Sequence, residues 1–429
     1  MNHLALIIPT IDKLGGAERQ VLILAKGMLN RGWRVNVVAL SGSGGAAAAE
    51  LLTSGVGFLS LHMRKGLADP RGWIRFNKWL RIARPDIVHA HLPHAAWMAR
   101  WSRLCAPSRV VVDTIHSPGL GTLGRRLAYR CSRWLPDKVT AVSHSAADAY
   151  SSARMVSNSQ IVVLPNGIDT DQWRPDPESH YSLRNALGLT NEFLWLAAGR
   201  LDPVKDYQAL LHAMTTVSPP AQLVIAGAGP LESDLRLLAH QLDLEQRVRF
   251  LGFEPNVLRW MQAADGFVLS SWWEGLSMAL LEACSCALPL VASDVPGNRE
   301  VIISQQSGLL ATVGDVNALA SAMTQIMTKR PKNGSIWAFR RETTSFKNSA
   351  LTLYSTAGKP YIQPCSINIP IRRALRAGTY SQSTLSLDAQ AIAFECAARP
   401  CAKEQHVRKF SLPNSGWLDE TPLLSDRTM

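Results

Sequence analysis

Short, nearly uninterrupted apolar runs recur along the first three quarters of the chain, at 4–8, 34–40, 57–61, 86–90, 109–115, 138–143 and 161–164, then at 193–198, 221–226, 247–251, 266–270, 288–292 and 308–311. Runs of this length without polar alternation predict strands buried on both faces, as in parallel sheets. Between them lie segments with helical spacing. In 18–30, Val21, Leu22, Leu24, Ala25 and Met28 form one apolar face. Further helices are predicted at 69–85, 145–153, 206–214, 231–242, 257–264 and 317–329. Strand alternating with helix predicts an α/β chain. The alternation runs in two series, giving domains at 1–170 and 171–330, joined through a Pro-rich linker at 173–179. Residues 331–429 lose the pattern: Ser, Thr, Pro and Gly mix with isolated apolar residues through 331–399. That stretch reads as an atypical, poorly ordered segment.

The chemistry concentrates at 270–282, SSWWEGLSMALLE. A strand ends there, a polar-aromatic elbow follows, and a helix is expected from Leu276 onward. Gly275 permits close approach of a backbone or a ligand. The free N–H groups of Gly275, Leu276 and Ser277 suit an anion. Glu274 sits at the mouth and Glu282 about two turns along. Two surface glutamates on an ordinary strand–loop–helix unit are the plain alternative.

Other candidates sit just past predicted strands, where α/β ligand clefts form. Gly15-Gly16 follow the first strand, either for a tight turn or for approach to a ligand. The pair is not a G-x-G-x-x-G fingerprint, so a dinucleotide site is not supported. His116 follows the strand at 109–115. Arg200 and Lys205 flank a turn after 193–198 and suit a diphosphate. Gly227 opens a GAGP turn, and Phe253 stands where a nucleobase wall would be. His91 and His94 read as a turn or substrate loop, since no Cys or acid accompanies them as a metal set would require. Asp169-Thr170-Asp171 spells D-x-D but lies in a turn, and no metal is expected there.

The 429 residues carry a net charge of +12, which suggests an anionic partner: nucleotide, nucleic acid or acidic lipid. Basic residues interleave with tryptophans at 69–85 (Arg71, Arg75, Lys78, Arg81, Arg84 with Trp73 and Trp79) and again at 119–136 (Arg125, Arg126, Arg130, Arg133 with Trp134). Such faces suit an anionic membrane; a packed helix with a solvated charged side is the alternative. Seven cysteines without a C-x-x-C pair read as reduced thiols in a cytoplasmic protein. No signal peptide or membrane-spanning run is predicted, so membrane contact would be peripheral, on the inner face of the plasma membrane.

Gly15-Gly16, Gly199-Arg200, Lys205, GAGP at 227–230, and Glu274-x7-Glu282 followed by PLVASDVPGNREVI together resemble glycosyltransferase family 4, of the two-domain GT-B fold with two Rossmann-like domains facing across a cleft. GGAERQ at 15–20 and VLPNGID at 163–169 support the likeness, which runs from about residue 4 to about 329. The resemblance implies retaining transfer of a hexose from a nucleotide sugar, UDP-linked on family frequency with GDP-linked donors as a variant, and no bound metal or other cofactor. It implies that Arg200 and Lys205 contact the diphosphate, that Glu274 binds donor-sugar hydroxyls and Glu282 the ribose, and that the amides of 275–277 hold phosphate. Gly15 and Gly16 would approach the donor, and His116 matches a histidine near the sugar. The acceptor would be a glycan or a polyprenyl-diphosphate-linked sugar in cell-surface polysaccharide synthesis. A nucleotide-sugar epimerase of the same fold and a non-catalytic anion- or nucleic-acid-binding protein are the alternatives. Family members end in a helix returning to the first domain. Here only 406–419 looks like that ending.

Overall fold

The computed structural model describes residues 2–64, 69–106, 108–302 and 307–328. In β1 (His3–Ile8) side chains alternate: Leu4, Leu6 and Ile8 enter one core, Ala5 and Ile7 the other. Helices α1 (Gly16–Asn30) and α2 (Gly45–Thr53) cover the first face. α3 (Pro70–Ala83), α4 (Pro93–Cys105), α5 (Leu123–Cys131) and α6 (His144–Ser152) cover the second. The remaining strands are β2 (Arg34–Ala39), β3 (Gly57–Ser60), β4 (Ile87–His91), β5 (Val110–Ile115), β6 (Lys138–Ala141) and β7 (Ile161–Val163). All pair in parallel, in the order β3-β2-β1-β4-β5-β6-β7. The chain therefore reverses direction across the sheet between β1 and β4, which opens a crevice beyond their C-terminal ends.

The second series repeats the plan. β8 (Phe193–Ala198), β9 (Ala221–Ala226), β10 (Val248–Gly252), β11 (Gly266–Leu269), β12 (Leu290–Ser293) and β13 (Gly308–Ala311) form a parallel sheet ordered β10-β9-β8-β11-β12-β13. Its helices are α7 (Pro177–Ala186), α8 (Tyr207–Thr216), α9 (Glu232–Gln241), α10 (Val257–Ala263), α11 (Met278–Ser285), α12 (Pro296–Arg299) and α13 (Val316–Thr328). Phe193, Trp195 and Ala197 face α8, α9 and α13, while Leu194, Leu196 and Ala198 face α10 and α11. Here the crevice lies between β8 and β11.

The structure departs from the sequence reading in three places near these crevices. His91 closes β4 and Pro93 opens α4, so 91–94 is a direct strand-to-helix passage, not a loop; Leu92 makes the turn with φ of 71°. The expected linker runs into α7, whose Asp176 cap accepts from the Glu178 N–H and whose Arg184 reaches the buried Asp265 at 2.6 Å. The elbow after β11 runs further than expected: α11 begins at Met278, with the Ser277 hydroxyl accepting from the Leu280 N–H. Asp169 turns back on its own chain, accepting from the N–H groups of Asp171 and Gln172. The expected tail, 331–429, lies outside the described residues, as do Cys365, Cys396 and Cys401.

A buried pair anchors the first domain. Arg100 on α4 grips Asp113 on β5 through two bonds of 2.9 and 3.1 Å, with the Ser132 hydroxyl and the Tyr129 carbonyl taking other guanidinium protons. Every charge is met, which is the condition for an ion pair to survive in a core.

Candidate active site

The two crevices face each other, and the closest approach runs between 270–282 and the first domain. A methyl group added at Gly275 would stand 2.2 Å from the His116 carbonyl oxygen. Glycine is therefore required there because the other domain's backbone presses on it. Gly297 lies in turn against the Glu274 and Gly275 carbonyls. Gly16 meets Met278, the first residue of α11, where a methyl would stand 3.3 Å from its side chain. Gly15 has an ordinary negative φ of −92°, so turn geometry does not demand glycine. It caps α1, and the Glu18 carboxylate accepts from its N–H at 3.1 Å. Glu18 is raised above the usual carboxylate range by burial, an effect opposed by bonds to backbone N–H groups and by the Arg200 charge across the cleft.

Glu274 is held firmly. Its Oε1 accepts from Lys205 Nζ at 2.5 Å and from the Ser271 hydroxyl at 2.7 Å. Arg200 bonds the Asp202 carboxylate through Nε at 2.7 Å and Nη2 at 2.5 Å, and its side chain is 73 % exposed. Among the described residues no hydrogen bond takes up the N–H groups of Gly275, Leu276 and Ser277. The Leu276 side chain is buried in the core and its carbonyl accepts from Asn166 of the first domain. The elbow thus presents unpaired backbone N–H groups of the kind that suit an anion, with Lys205 beside Glu274 at its mouth.

The other expected site residues divide. Gly227 packs against the backbone of Gly199: a methyl there would lie 1.8 Å from the Gly199 carbonyl oxygen. Its glycine serves the contact between two strand ends rather than an open ligand face. Phe253 is 71 % exposed just past β10. Glu282 is almost fully buried, and its partner is one the sequence reading did not single out: Arg19 of α1, from the first domain, whose Nη1 donates at 2.7 Å. Burial raises the Glu282 carboxyl above its usual range, while Arg19 pulls it back. Only the motif GGAERQ at 15–20 carried a hint of Arg19. Nothing in the spacing tied it to a residue 263 positions away.

On the first-domain side His116 forms one end of a histidine row. Its Nε2 shares a proton with His91 Nδ1 at 3.0 Å, and the His91 ring lies 4.2 Å from that of His89. His89 Nε2 bonds the Thr114 hydroxyl at 2.6 Å, which bonds Thr140. These groups and Gln20 line a small cavity at the cleft floor. Burial pushes His89 down to about 3 and His116 down to about 4; His91 falls well below its usual value from burial and its two neighbours. The row is neutral at pH 7 and serves as hydrogen-bonding surface. The depressed native values have a sign for stability: below the unfolded value near 6.5 the unfolded chain binds protons that the native chain refuses. Stability is therefore expected to fall as pH drops from about 6.5 toward about 4. Urea midpoints measured across that range check this; a midpoint that is flat or rises on acidification contradicts it.

The domain seam is completed by Glu300, whose carboxylate accepts from the His144 and Ser145 N–H groups at the start of α6, and by Gln20, which pairs with both backbone groups of Gly167 and touches Met278.

Two facing doubly wound sheets, an elbow of unpaired backbone N–H groups and Glu274-x7-Glu282 at the seam agree with what known proteins show. Residues 14–172 match the model of Glycosyltransferase Family 4, and 182–338 that of Glycosyl transferases group 1. The chain belongs to glycosyltransferase family 4. It is similar to the UDP-Gal:alpha-D-GlcNAc-diphosphoundecaprenol alpha-1,3-galactosyltransferase of Escherichia coli, 26% identical over 281 residues that cover 62% of this chain and 73% of that protein. It is also similar to a GDP-mannose-dependent monoacylated alpha-(1-6)-phosphatidylinositol monomannoside mannosyltransferase of Corynebacterium glutamicum, 30% identical over 267 residues, covering 58% of this chain and 67% of the relative. Among solved structures, Anabaena HepE in complex with UDP and glucose superposes with a TM-score of 0.71 at 22% identity, covering 82% of this chain and 98% of that one. The fold of this family 4 glycosyltransferase is therefore GT-B.

Proposed function

We propose that this glycosyltransferase moves a hexose or N-acetylhexosamine, with retention, from a UDP-sugar to a polyprenyl-diphosphate-linked or other glycan acceptor in surface polysaccharide synthesis. The observation that carries the reading is the Glu274–Lys205–Ser271 cluster beside the unsatisfied amides of 275–277. In this reading the carboxylate orients donor hydroxyls. The amides, Arg200 and Lys205 receive the charge that develops on the departing diphosphate, which is where catalysis of such a transfer has most to gain. The bond from the anomeric carbon to the phosphate oxygen breaks. The acceptor oxygen bonds that carbon on the same face, and its proton passes to the leaving phosphate. No metal is needed, because two side-chain cations and the amides supply the positive field. Glu274 and Glu282 are not a glycosidase pair, since they do not flank one bond; Glu282 serves the ribose, and His116 presents a neutral imidazole toward the sugar.

A UDP donor and a lipid-diphosphate acceptor are favoured by the name of the Escherichia coli relative. A GDP-sugar is the variant that the mannosyltransferase suggests. The test is a panel of UDP-, GDP- and ADP-sugars with a polyprenyl-diphosphate-sugar acceptor and a chelator present. Acceptor-dependent release of nucleoside diphosphate establishes the reaction and names the donor; binding of no donor overturns the reading.

The reading includes a peripheral position on an anionic membrane. The tryptophans of α3 do not form its contact face: Trp73 and Trp79 pack against the core, and Arg75 is spent on the Leu61 carbonyl. A different set is exposed on the adjoining helices α3 to α5 and the turn after them: Ile74, Ile82, Trp97, Leu127 and Trp134, with Lys78, Arg126, Arg130 and Arg133 exposed on the same elements. Exposed apolar groups accompanied by cations suit an acidic lipid surface. Among the described residues no helix is long and apolar enough to cross a membrane. Replacing Lys78, Arg126 and Arg130 by Glu is expected to abolish sedimentation with anionic vesicles while leaving soluble donor binding intact. Unchanged sedimentation removes the membrane contact from the reading.

A further inference from the structure

Glu282 is 3 % exposed, so in this closed arrangement no ribose can reach it. What it holds instead is Arg19, carried in by the first turns of α1 from the opposite domain. A carboxylate this deeply buried needs a counter-charge or hydrogen bonds to stay ionised. Arg19 supplies both in the free protein, and neutral ribose hydroxyls would supply only hydrogen bonds. The helix that brings Arg19 is fixed on its own side by Gln20, clamped to Gly167, and it touches α11 through Gln20 and Gly16 on Met278. With α1 held in this way, release of Glu282 falls to the Arg19 side chain, which is itself 32 % exposed and can swing toward solvent.

We infer that Arg19 sets donor affinity by competition: it occupies the Glu282 carboxylate across the cleft, and a nucleoside diphosphate binds only by displacing it. This inference rests on the donor site proposed above. The exchange is specific for ligands that carry a ribose. A ligand presenting only phosphates has no claim on Glu282 and gains nothing when Arg19 is removed.

The measurement is titration calorimetry of UDP, GDP and inorganic pyrophosphate with the full chain and with R19A, R19Q and R19K. A charge-assisted hydrogen bond that no longer competes predicts UDP or GDP binding about tenfold tighter in R19A. R19Q should fall between R19A and the parent, and R19K near the parent. Pyrophosphate binding should be no tighter in any variant. R19Q reads the same competition should R19A fail to fold. Nucleotide binding that is unchanged or weaker in R19A and R19Q overturns the inference while the donor site stands. A gain for pyrophosphate equal to that for UDP also overturns it, since the effect would then be general loosening. Failure of the parent and every variant to bind either nucleotide overturns the donor site and the inference together.

Discussion

Substituting Glu274 by alanine is expected to lower kcat/KM for acceptor-dependent nucleoside diphosphate release by about 10³-fold, or ~4 kcal/mol of transition-state stabilisation. The size follows from what the carboxylate does twice. Toward the donor it would orient sugar hydroxyls. Toward the protein it fixes Lys205, whose ammonium lies 2.5 Å away, and it is itself fixed by Ser271. Losing it releases the cation expected to meet the diphosphate, so orientation and charge stabilisation fail together. Glu274→Gln separates the parts, since the amide can still bond hydroxyls and Ser271 but no longer carries charge toward Lys205. The glutamine variant should lie between alanine and the parent. A loss under tenfold in the alanine variant would remove Glu274 from the reaction.

What the sequence makes legible follows from where each element finds its partners. All thirteen strands among the described residues were readable: most are buried on both faces, which leaves a local signature, an apolar run such as 4–8 or 193–198, and the half-buried β3 and β7 still carry short apolar runs. Helix α7 was not, because its one buried side chain is Arg184, held by Asp265 rather than by hydrophobic packing. Helix α4 hid for a related reason: its inner face is built of Ala95, Ala96, Ala99 and Ser102, small residues that give little periodic contrast, and it begins immediately after a strand. The α3 tryptophans left two readings open, packed or membrane-facing, because a large aromatic beside arginines reads equally well as core or as surface, and the fold packs both against the core.

The site divides along the same line. Glu274, Lys205 and the elbow are local to strand ends, and their positions were legible. Gly275, Arg19 and the His91–His116 contact depend on where the second domain or a neighbouring strand arrives, which no local spacing encodes. A reading from the chain alone could say that Gly275 permits close approach. Only the fold shows that the approaching group is the His116 carbonyl.

That contact yields the second large effect. Gly275→Ala places a methyl 2.2 Å from the His116 carbonyl oxygen and about as near the Ser117 backbone as packing forbids, at 3.1 Å from its Cα. Backbone cannot swing aside as a flexible side chain does, so the strain is relieved by moving the two sheets apart at the seam. Each sheet keeps its own core, and the variant should fold. The cleft, however, would be held open by an ångström or more, separating His116 from Glu274. Misplacement on that scale costs about 10²-fold in turnover. The expected result is a kcat reduced about 10²-fold, with little change in the thermal transition and an increased radius of gyration in solution scattering. Gly124→Ala, on exposed α5 with nothing within 4 Å of the added methyl, is the control and should leave turnover unchanged. Parental activity in Gly275→Ala would mean that catalysis does not use the closed seam, and that the contact of Gly275 with the His116 backbone belongs to a resting form of the enzyme.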